Sequence, residues 1–228
     1  MEITTSKKNR VFSYIAFFDL DRTITRAISG RVIANRAFKM GHMKRSDLAA
    51  AIYLGLAYRV GLVDPVAAME KMLGWVKGLP EQVLTELCKE VASDVMLPSI
   101  YSEVNDELKI HVAKNAGTVI LSASLEPLCA EVANHLNMND VICSRLEVID
   151  GFLTGRPEGN LCYGDEKLVR LKEYCETNNN KLEDSWYYGD SFSDIPALEV
   201  VGNPVCINPD NKLLKAAKKN KWRVFFWQ

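Results

Sequence analysis

The fold is decided by the stretch Ile15-Ala16-Phe17-Phe18-Asp19-Leu20-Asp21-Arg22-Thr23. Here a short apolar run ends in two carboxylates that lie one residue apart. An apolar run of this length, bounded by polar residues, predicts a buried strand of a parallel sheet. Ligands of open α/β sheets bind beyond the carboxyl ends of the strands, so we expect a ligand site at Asp19 and Asp21. The alternative is a polar strand end with two solvated acids.

Length and composition describe an ordinary globular protein. The chain has 228 residues, 48% of them hydrophobic and 25% charged, which suits one large domain or a core with a smaller insert. A formal net charge of −1 gives no electrostatic reason to expect nucleic acid or a membrane surface as partner. No apolar run approaches the roughly 20 residues that span a bilayer. We expect a cytoplasmic protein with its six scattered cysteines reduced, because the polar stretch Met1–Arg10 does not resemble a signal peptide.

A block of helices is predicted between the first strand and the next. Apolar residues recur there at three- and four-residue spacing. The Asp64-Pro65 pair supplies a helix cap, and glycines at 41, 61 and 117 follow helical runs where a left-handed turn is wanted. The predicted helices are Ile28–Met40, Ser46–Val60, Asp64–Val76, Pro80–Val95 and Pro98–Asn115. Such a block is expected to fold as a small helical bundle of its own.

From Gly117 onward, strands and helices alternate, which is the pattern of βαβ units. A hairpin is expected to turn at Asp150-Gly151. The predicted strands are Thr118–Leu121, Val141–Cys143, Trp186–Tyr188, Val205–Ile207 and an edge strand within Trp222–Trp227. The predicted helices are Leu125–Leu136, Glu166–Thr177, Ile195–Val201 and Lys212–Asn220.

Polar groups follow three of the predicted strands: Asp19 with Asp21, Ser122, and Asp190 with Asp194. If these strands are parallel neighbours, their ends converge on one pocket, where two or three carboxylates suit Mg²⁺. Simpler interpretations exist for each group. The acids at 190 and 194 fit helix capping, Ser122 fits a turn, and Lys167 fits a solvated surface lysine.

The ordered set of motifs resembles the haloacid dehalogenase superfamily, subfamily IB, and its phosphoserine-phosphatase-like hydrolases. Asp19-Leu20-Asp21-Arg22-Thr23 is similar to the D-x-D-x-T motif, and Ser122 follows a strand as in the second motif. Lys167 stands where the third motif has its lysine, and the stretch 189–194 is similar to the G-D-x-x-x-D motif.

This resemblance implies an α/β fold with a Rossmann-like three-layer core, a parallel sheet and an inserted helical-bundle cap of the C1 type. The core is expected over residues 1–25 and 110–228, and the cap over residues 26–109. It further implies a phosphoric monoester hydrolase that acts on a small phosphomonoester with Mg²⁺ as cofactor.

The resemblance also implies a role for each site residue. Asp19 is the nucleophile that forms an aspartyl-phosphate, and Asp21 is the general acid and base. Asp19, the backbone carbonyl of Asp21 and the side chain of Asp190 bind Mg²⁺. The phosphate-binding set is Ser122, Ala123 and Lys167, and the supporting residues are Thr23 and Asp194.

The substrate is less defined. Phosphoserine phosphatases have a glutamate soon after the first motif, whereas Ile24–Gly30 contains no acid, so we expect poor activity on free phosphoserine. Arg22, Arg26 and Arg31 either favour an anionic substrate or are solvated, and Arg26 and Arg59 are candidate substrate contacts. The sequence leaves open a phosphotransferase, a non-catalytic protein that binds phosphate or Mg²⁺, and the choice between monomer and homodimer.

Overall fold

The computed structural model describes residues 11–59 and 62–228, without the side chains at 58 and 59. Its centre is a six-stranded parallel sheet in the order β3-β2-β1-β6-β7-β8. The strands are β1 (Ile15–Phe18), β2 (Gly117–Leu125), β3 (Asp140–Ser144), β6 (Trp186–Gly189), β7 (Asn203–Ile207) and β8 (Arg223–Phe225). An antiparallel hairpin of β4 (Leu146–Ile149) and β5 (Phe152–Pro157) stands apart from this sheet.

Helices cover both faces of the sheet, which makes three layers. They are α1 (Ser29–Lys39), α2 (Arg45–Arg59), α3 (Pro65–Met72), α4 (Glu81–Val91), α5 (Ser102–Ala113), α6 (Glu126–His135), α7 (Asp165–Thr177), α8 (Ile195–Leu198) and α9 (Asn211–Asn220). Within the described residues, no helix is both long and apolar enough to cross a membrane. The predicted α/β fold with a parallel sheet is confirmed.

The fully buried strand β1 separates the two hydrophobic layers. Its alternating side chains point to opposite faces. Ile15 and Phe17 pack into the cluster formed with α7, α8 and α9, whereas Ala16 and Phe18 join the cluster formed with α1, α4, α5 and α6. The inserted helices therefore share a continuous apolar core with the sheet. The division at residues 25/26 and 109/110 remains a proposal, and its second boundary falls inside α5.

Several predicted helices are shorter in the structure. The region predicted as Asp64–Val76 is divided into α3, capped by Asp64 through the Ala67 N–H, and a 3₁₀ turn at Gly74–Val76. After α4 the backbone forms a π-helical turn at Ala92–Met96. The helix expected from Pro98 begins only at Ser102, because extended backbone at Ile100 pairs with Thr25.

Left-handed turns were predicted at Gly41 and Gly117, and the structure has one at the first of these glycines but not at the second. Gly41 adopts the expected left-handed backbone, with φ of 79°. At the end of α5 the prediction is wrong, because Asn115 takes the left-handed position with φ of 56°. Gly117 instead begins β2, where an added Cβ would lie 2.8 Å from side-chain carbons of Ile15 and Phe12. Gly61 lies outside the described residues.

The remaining turn and strand predictions are confirmed closely. The hairpin turns at Asp150-Gly151, with φ of 52° and 81°, as a tight turn of the primed type requires. The edge strand near the C-terminus is β8. All six cysteines are buried, and none of them forms a disulfide bond.

A buried hydrogen-bonded chain links α5 to the sheet. Tyr14 Oη lies 2.9 Å from His111 Nδ1, and His111 Nε2 lies 2.8 Å from Tyr188 Oη. Because Tyr188 donates its proton to Glu107, its oxygen accepts from His111 Nε2–H. When the imidazole is neutral, Nδ1 accepts from the Tyr14 hydroxyl. Burial, followed by the charge of Lys114, lowers the pKa of His111 to about 4.

We expect this buried histidine to make stability depend on pH. Its pKa is lower in the fold than the ordinary value of 6.5, so between these values the unfolded chain binds more protons. Stability should therefore fall as pH drops from about 6.5 to 4, by up to about 3 kcal/mol. Urea unfolding across this range is expected to show a shallower pH dependence in His111→Gln. The exposed His135 gives the control, since His135→Gln should retain the wild-type slope; equal slopes in all three proteins would contradict the assignment.

Candidate active site

Asp19 and Asp21 lie beyond the carboxyl end of β1, as predicted. The Asp19 N–H donates to the Tyr188 carbonyl on β6 at 2.9 Å, which fixes the chain between the two neighbouring strands. The Asp19 side chain is only 8% exposed. Burial raises its pKa, while the charge of Lys167 and hydrogen bonds from Lys167 and Ser122 act in the opposite direction. A carboxylate held in this way is a strong candidate for a reacting group.

Lys167 is buried rather than solvated, so the surface-lysine alternative is wrong. It stands in the first turn of α7, a helix that begins directly after Gly164, whose φ of 56° and ψ of −123° suit only glycine. Its Nζ lies 2.7 Å from Asp19 Oδ1 and 2.6 Å from Asp194 Oδ1. Tyr187 Oη completes the set at 3.1 Å. The ammonium group thus offsets part of the negative charge of two buried carboxylates from two strand ends.

Asp194 holds the loop that carries Asp190. Its Oδ2 accepts the backbone N–H groups of Asp190 and Ser191, each at 3.1 Å, and its Oδ1 accepts from Tyr187 at 2.7 Å in addition to Lys167. Gly189 permits this approach, because a Cβ there would lie 2.7 Å from the Asp194 carboxylate. Helix capping is one of its functions, since it also forms a capping box with Ser191.

The carboxylate of Asp21 is oriented by the start of α1. Its two oxygens accept the backbone N–H of Ser29 at 2.9 Å and the Ser29 hydroxyl at 2.8 Å. Burial raises the pKa of Asp21 to about 7, and the charge of Asp19 adds to this effect. A group near half protonation at neutral pH can both give and accept a proton. Ser29 was not predicted as a site residue; its only signal in the sequence is a serine at the start of a predicted helix.

The predicted phosphate-binding residues lie at the end of β2. Ser122 is buried, contacts Asp19 through its hydroxyl, and accepts the Ser124 N–H at 3.3 Å. Ala123 beside it is half-buried. The strand continues to Leu125 with an irregular register after Ser122, so this segment is not the turn of the simpler interpretation. Thr23 is fully buried, and its hydroxyl has no partner among the described residues.

The carboxylates of Asp19, Asp190 and Asp194 form a cluster whose ligand oxygens lie within 4.8 Å of one another. Hard oxygen donors at such separations suit Mg²⁺, which binds oxygens at about 2.0–2.1 Å. Burial raises the pKa of Asp190 to about 9, and repulsion by Asp194 and Asp19 adds to it, so a cation there would relieve a real cost. Both oxygens of Asp194 are already engaged. The donor set therefore fits an ion held by Asp19 and Asp190.

The arginines near the site differ in their contacts. Arg22 Nη1 lies 3.5 Å from Asp190 Oδ2. The guanidinium of Arg26 stacks on the ring of Tyr101, 4.8 Å from its centroid, at the junction of the inserted helices and the core. The side chain of Arg59 lies outside the described residues. Arg26 thus has a packing partner, and its role toward a substrate stays a prediction.

A separate cavity of about 540 Å³ lies between α4, α6 and the hairpin. Its lining includes Glu81, Glu126, Glu147 and Glu158 and none of the carboxylate cluster. Arg145 also lines the cavity and pairs with Glu126 at 2.6 Å, so the four acids outnumber the one cation and the lining repels a phosphate dianion. The strand ends around Asp19 therefore remain the better candidate for phosphate chemistry.

Comparison with known proteins identifies related phosphatases. A probable phosphatase of Mycobacterium tuberculosis is 28% identical over 213 residues, covering 92% of this chain and 74% of that protein. A phosphoserine phosphatase of the same species is 26% identical, with 92% and 69% covered. Histidinol-phosphatase of Neisseria meningitidis is also 26% identical, with 92% and 97% covered.

Solved structures share the fold. A protein of unknown function from Bordetella pertussis superposes with a TM-score of 0.84 at 27% identity, covering 94% of this chain and 98% of that one. A phosphoserine phosphatase carrying a phospho-aspartyl intermediate analogue superposes with a TM-score of 0.70 at 18% identity, covering 93% and 92%. The latter likeness concerns the fold alone.

The family model of the haloacid dehalogenase-like hydrolases matches residues 16–199, from β1 to just beyond α8. This range contains every predicted catalytic, phosphate-binding and metal-binding residue. The chain belongs to the haloacid dehalogenase-like hydrolase family.

Proposed function

We propose that this hydrolase is a Mg²⁺-dependent phosphatase that cleaves a small phosphomonoester through an aspartyl-phosphate. The contact that carries the proposal joins the Asp19 carboxylate to buried Lys167 at 2.7 Å, with Asp190 at the same edge of the sheet. The enzyme class, a phosphoric monoester hydrolase, is also that of the named phosphatase relatives.

The first half of the reaction transfers the phosphoryl group to Asp19. Its carboxylate oxygen attacks phosphorus, the bond to the leaving oxygen breaks, and protonated Asp21 gives its proton to that oxygen. Mg²⁺ held by Asp19, Asp190 and the Asp21 carbonyl would offset the charge of the phosphoryl oxygens. Lys167 and Ser122 would hold those oxygens from the protein side.

The second half releases phosphate. Asp21, now a carboxylate, takes a proton from water as the water oxygen attacks phosphorus. The bond between phosphorus and the Asp19 oxygen breaks, which restores both carboxyl groups to their starting states. The two hydrogen bonds from Ser29 keep Asp21 in place for both proton transfers, and its pKa of about 7 suits both directions.

The cap is proposed to select the leaving group. Residues 26–109 carry Arg26 and Arg59, and α1 of this segment orients Asp21 through Ser29. Residues 22–46, which follow the first motif, contain no acid, so an ammonium group on the substrate has no carboxylate to meet in that stretch. We therefore expect weak activity on free phosphoserine, although two relatives bear that activity in their names.

Turnover of p-nitrophenyl phosphate with Mg²⁺ and with EDTA tests the proposal. We expect phosphate release with Mg²⁺, loss with excess EDTA and recovery when Mg²⁺ is restored. Phosphate and p-nitrophenol should appear in equal amounts. A phosphotransferase would instead yield less phosphate than phenol when an alcohol acceptor is added. Binding of Mg²⁺ or phosphate without turnover on a panel of phosphomonoesters would favour the non-catalytic alternative.

A further inference from the structure

Arg22 occupies an unusual position beside the carboxylate cluster. It lies between Asp21 and Thr23, and its backbone is left-handed with φ of 60°. Among residues other than glycine this conformation is uncommon and falls mostly to asparagine and aspartate, so a bulky arginine there indicates local strain of the kind found at functional sites. The guanidinium Nη1 lies 3.5 Å from Asp190 Oδ2, with the arginine side chain 44% exposed and the aspartate side chain 7% exposed. Arg22 thus reaches from solvent to a predicted metal ligand.

The two cations beside the carboxylate cluster, Lys167 and Arg22, differ in burial and in partners. Lys167 is buried between Asp19 and Asp194, so both of its partners are fixed. Arg22 instead faces Asp190, and its exposed side chain can move. A guanidinium also offers a planar set of donors that matches two phosphate oxygens at once.

Metal and phosphate respond to this guanidinium in opposite ways. A divalent ion on Asp190 meets a positive charge only a few ångströms away, and like charges at that distance repel. A phosphoryl dianion beside Asp19 is attracted by the same charge. The charge of Arg22 therefore weakens metal binding and strengthens phosphate binding, whatever the leaving group of the substrate is.

We propose that Arg22 is an additional phosphate-binding side chain that shares Asp190 with the metal. In the free enzyme it pairs with Asp190 and weakens Mg²⁺ binding. When metal binds, the guanidinium is released toward the phosphoryl oxygens and strengthens their binding. This inference rests on the proposed function for its two ligands, but its test requires no turnover.

The test compares Arg22→Gly, Arg22→Lys and the wild type by calorimetry at constant ionic strength. Glycine accepts the left-handed backbone, so the first variant removes charge without new strain. We expect Arg22→Gly to bind Mg²⁺ about three- to tenfold more tightly and to bind inorganic phosphate, at saturating Mg²⁺, about three- to tenfold more weakly. Arg22→Lys should lie close to the wild type for Mg²⁺ and between the two for phosphate.

Lys172→Gln is the control for a general loss of positive charge, because Lys172 is exposed on α7. It should change both affinities less than twofold. A purely structural role of Arg22 would weaken both ligands in Arg22→Gly, and unchanged affinities would equally overturn the inference. If the wild type binds both ligands and turns over substrate, such results leave the proposed function intact. If the wild type binds neither, the proposed function and this inference fall together.

Discussion

Asp19→Asn is expected to reduce phosphate release to the background of the assay. An amide is a poor nucleophile and carries no charge for Mg²⁺, so the substitution removes attack and part of the metal site together. Asparagine keeps the shape of the side chain, and Lys167 retains its 2.6 Å ion pair with Asp194. The fold should therefore survive. Thermal unfolding should place the variant close to the wild type.

A second variant, Asp21→Asn, distinguishes the role of the nucleophile from that of the general acid and base. Loss of a general acid or base typically costs about 10²–10⁴ in rate. With p-nitrophenyl phosphate the leaving phenolate needs little protonation, so Asp21→Asn should still form phosphoenzyme and then hydrolyse it slowly. We expect a burst of about one p-nitrophenol per active site from Asp21→Asn and none from Asp19→Asn. A burst in Asp19→Asn would show that another residue is the nucleophile.

The sequence predicts the carboxylate pair well because the information is local. An apolar strand followed by acids predicts both the strand and the position of Asp19 and Asp21 at its end. The same argument applies to Asp190 after β6. Parallel strands of one sheet end at one edge, so topology brings these groups together.

Contacts made by helices were harder to predict. Lys167 lies in a helix rich in charged residues, and no local pattern distinguishes it from the exposed Lys172 five residues later. Only the packing of α7 against this face of the sheet makes it the buried partner of Asp19. Ser29 was missed for the same reason, because its partner Asp21 lies eight residues away across an irregular segment. The π-helical turn after α4 and the ion pair of Arg22 likewise depend on tertiary contacts.

Lys167→Met is expected to be the most destabilising of these substitutions. Methionine fills much of the same volume but leaves Asp19 and Asp194 buried without their cation. Removing one partner from a buried ion pair typically costs about 3–5 kcal/mol in the free energy of unfolding. For a chain of this size the melting temperature should fall by on the order of 10 °C. Lys172→Met, on the exposed face of the same helix, provides the matched control and should unfold close to the wild type.

Magnesium distinguishes this electrostatic cause from a packing defect. A divalent ion on Asp19 supplies positive charge that the variant lacks, and a ligand that binds only the native state stabilises it. Mg²⁺ should therefore raise the melting temperature of Lys167→Met more than it raises that of the Lys172→Met control. A packing defect would leave the two increments equal. The contrary result is a Lys167→Met protein that is as stable as the control in the absence of Mg²⁺. It would show that the two carboxylates do not need the ammonium group, which contradicts the role of Lys167 as their charge partner.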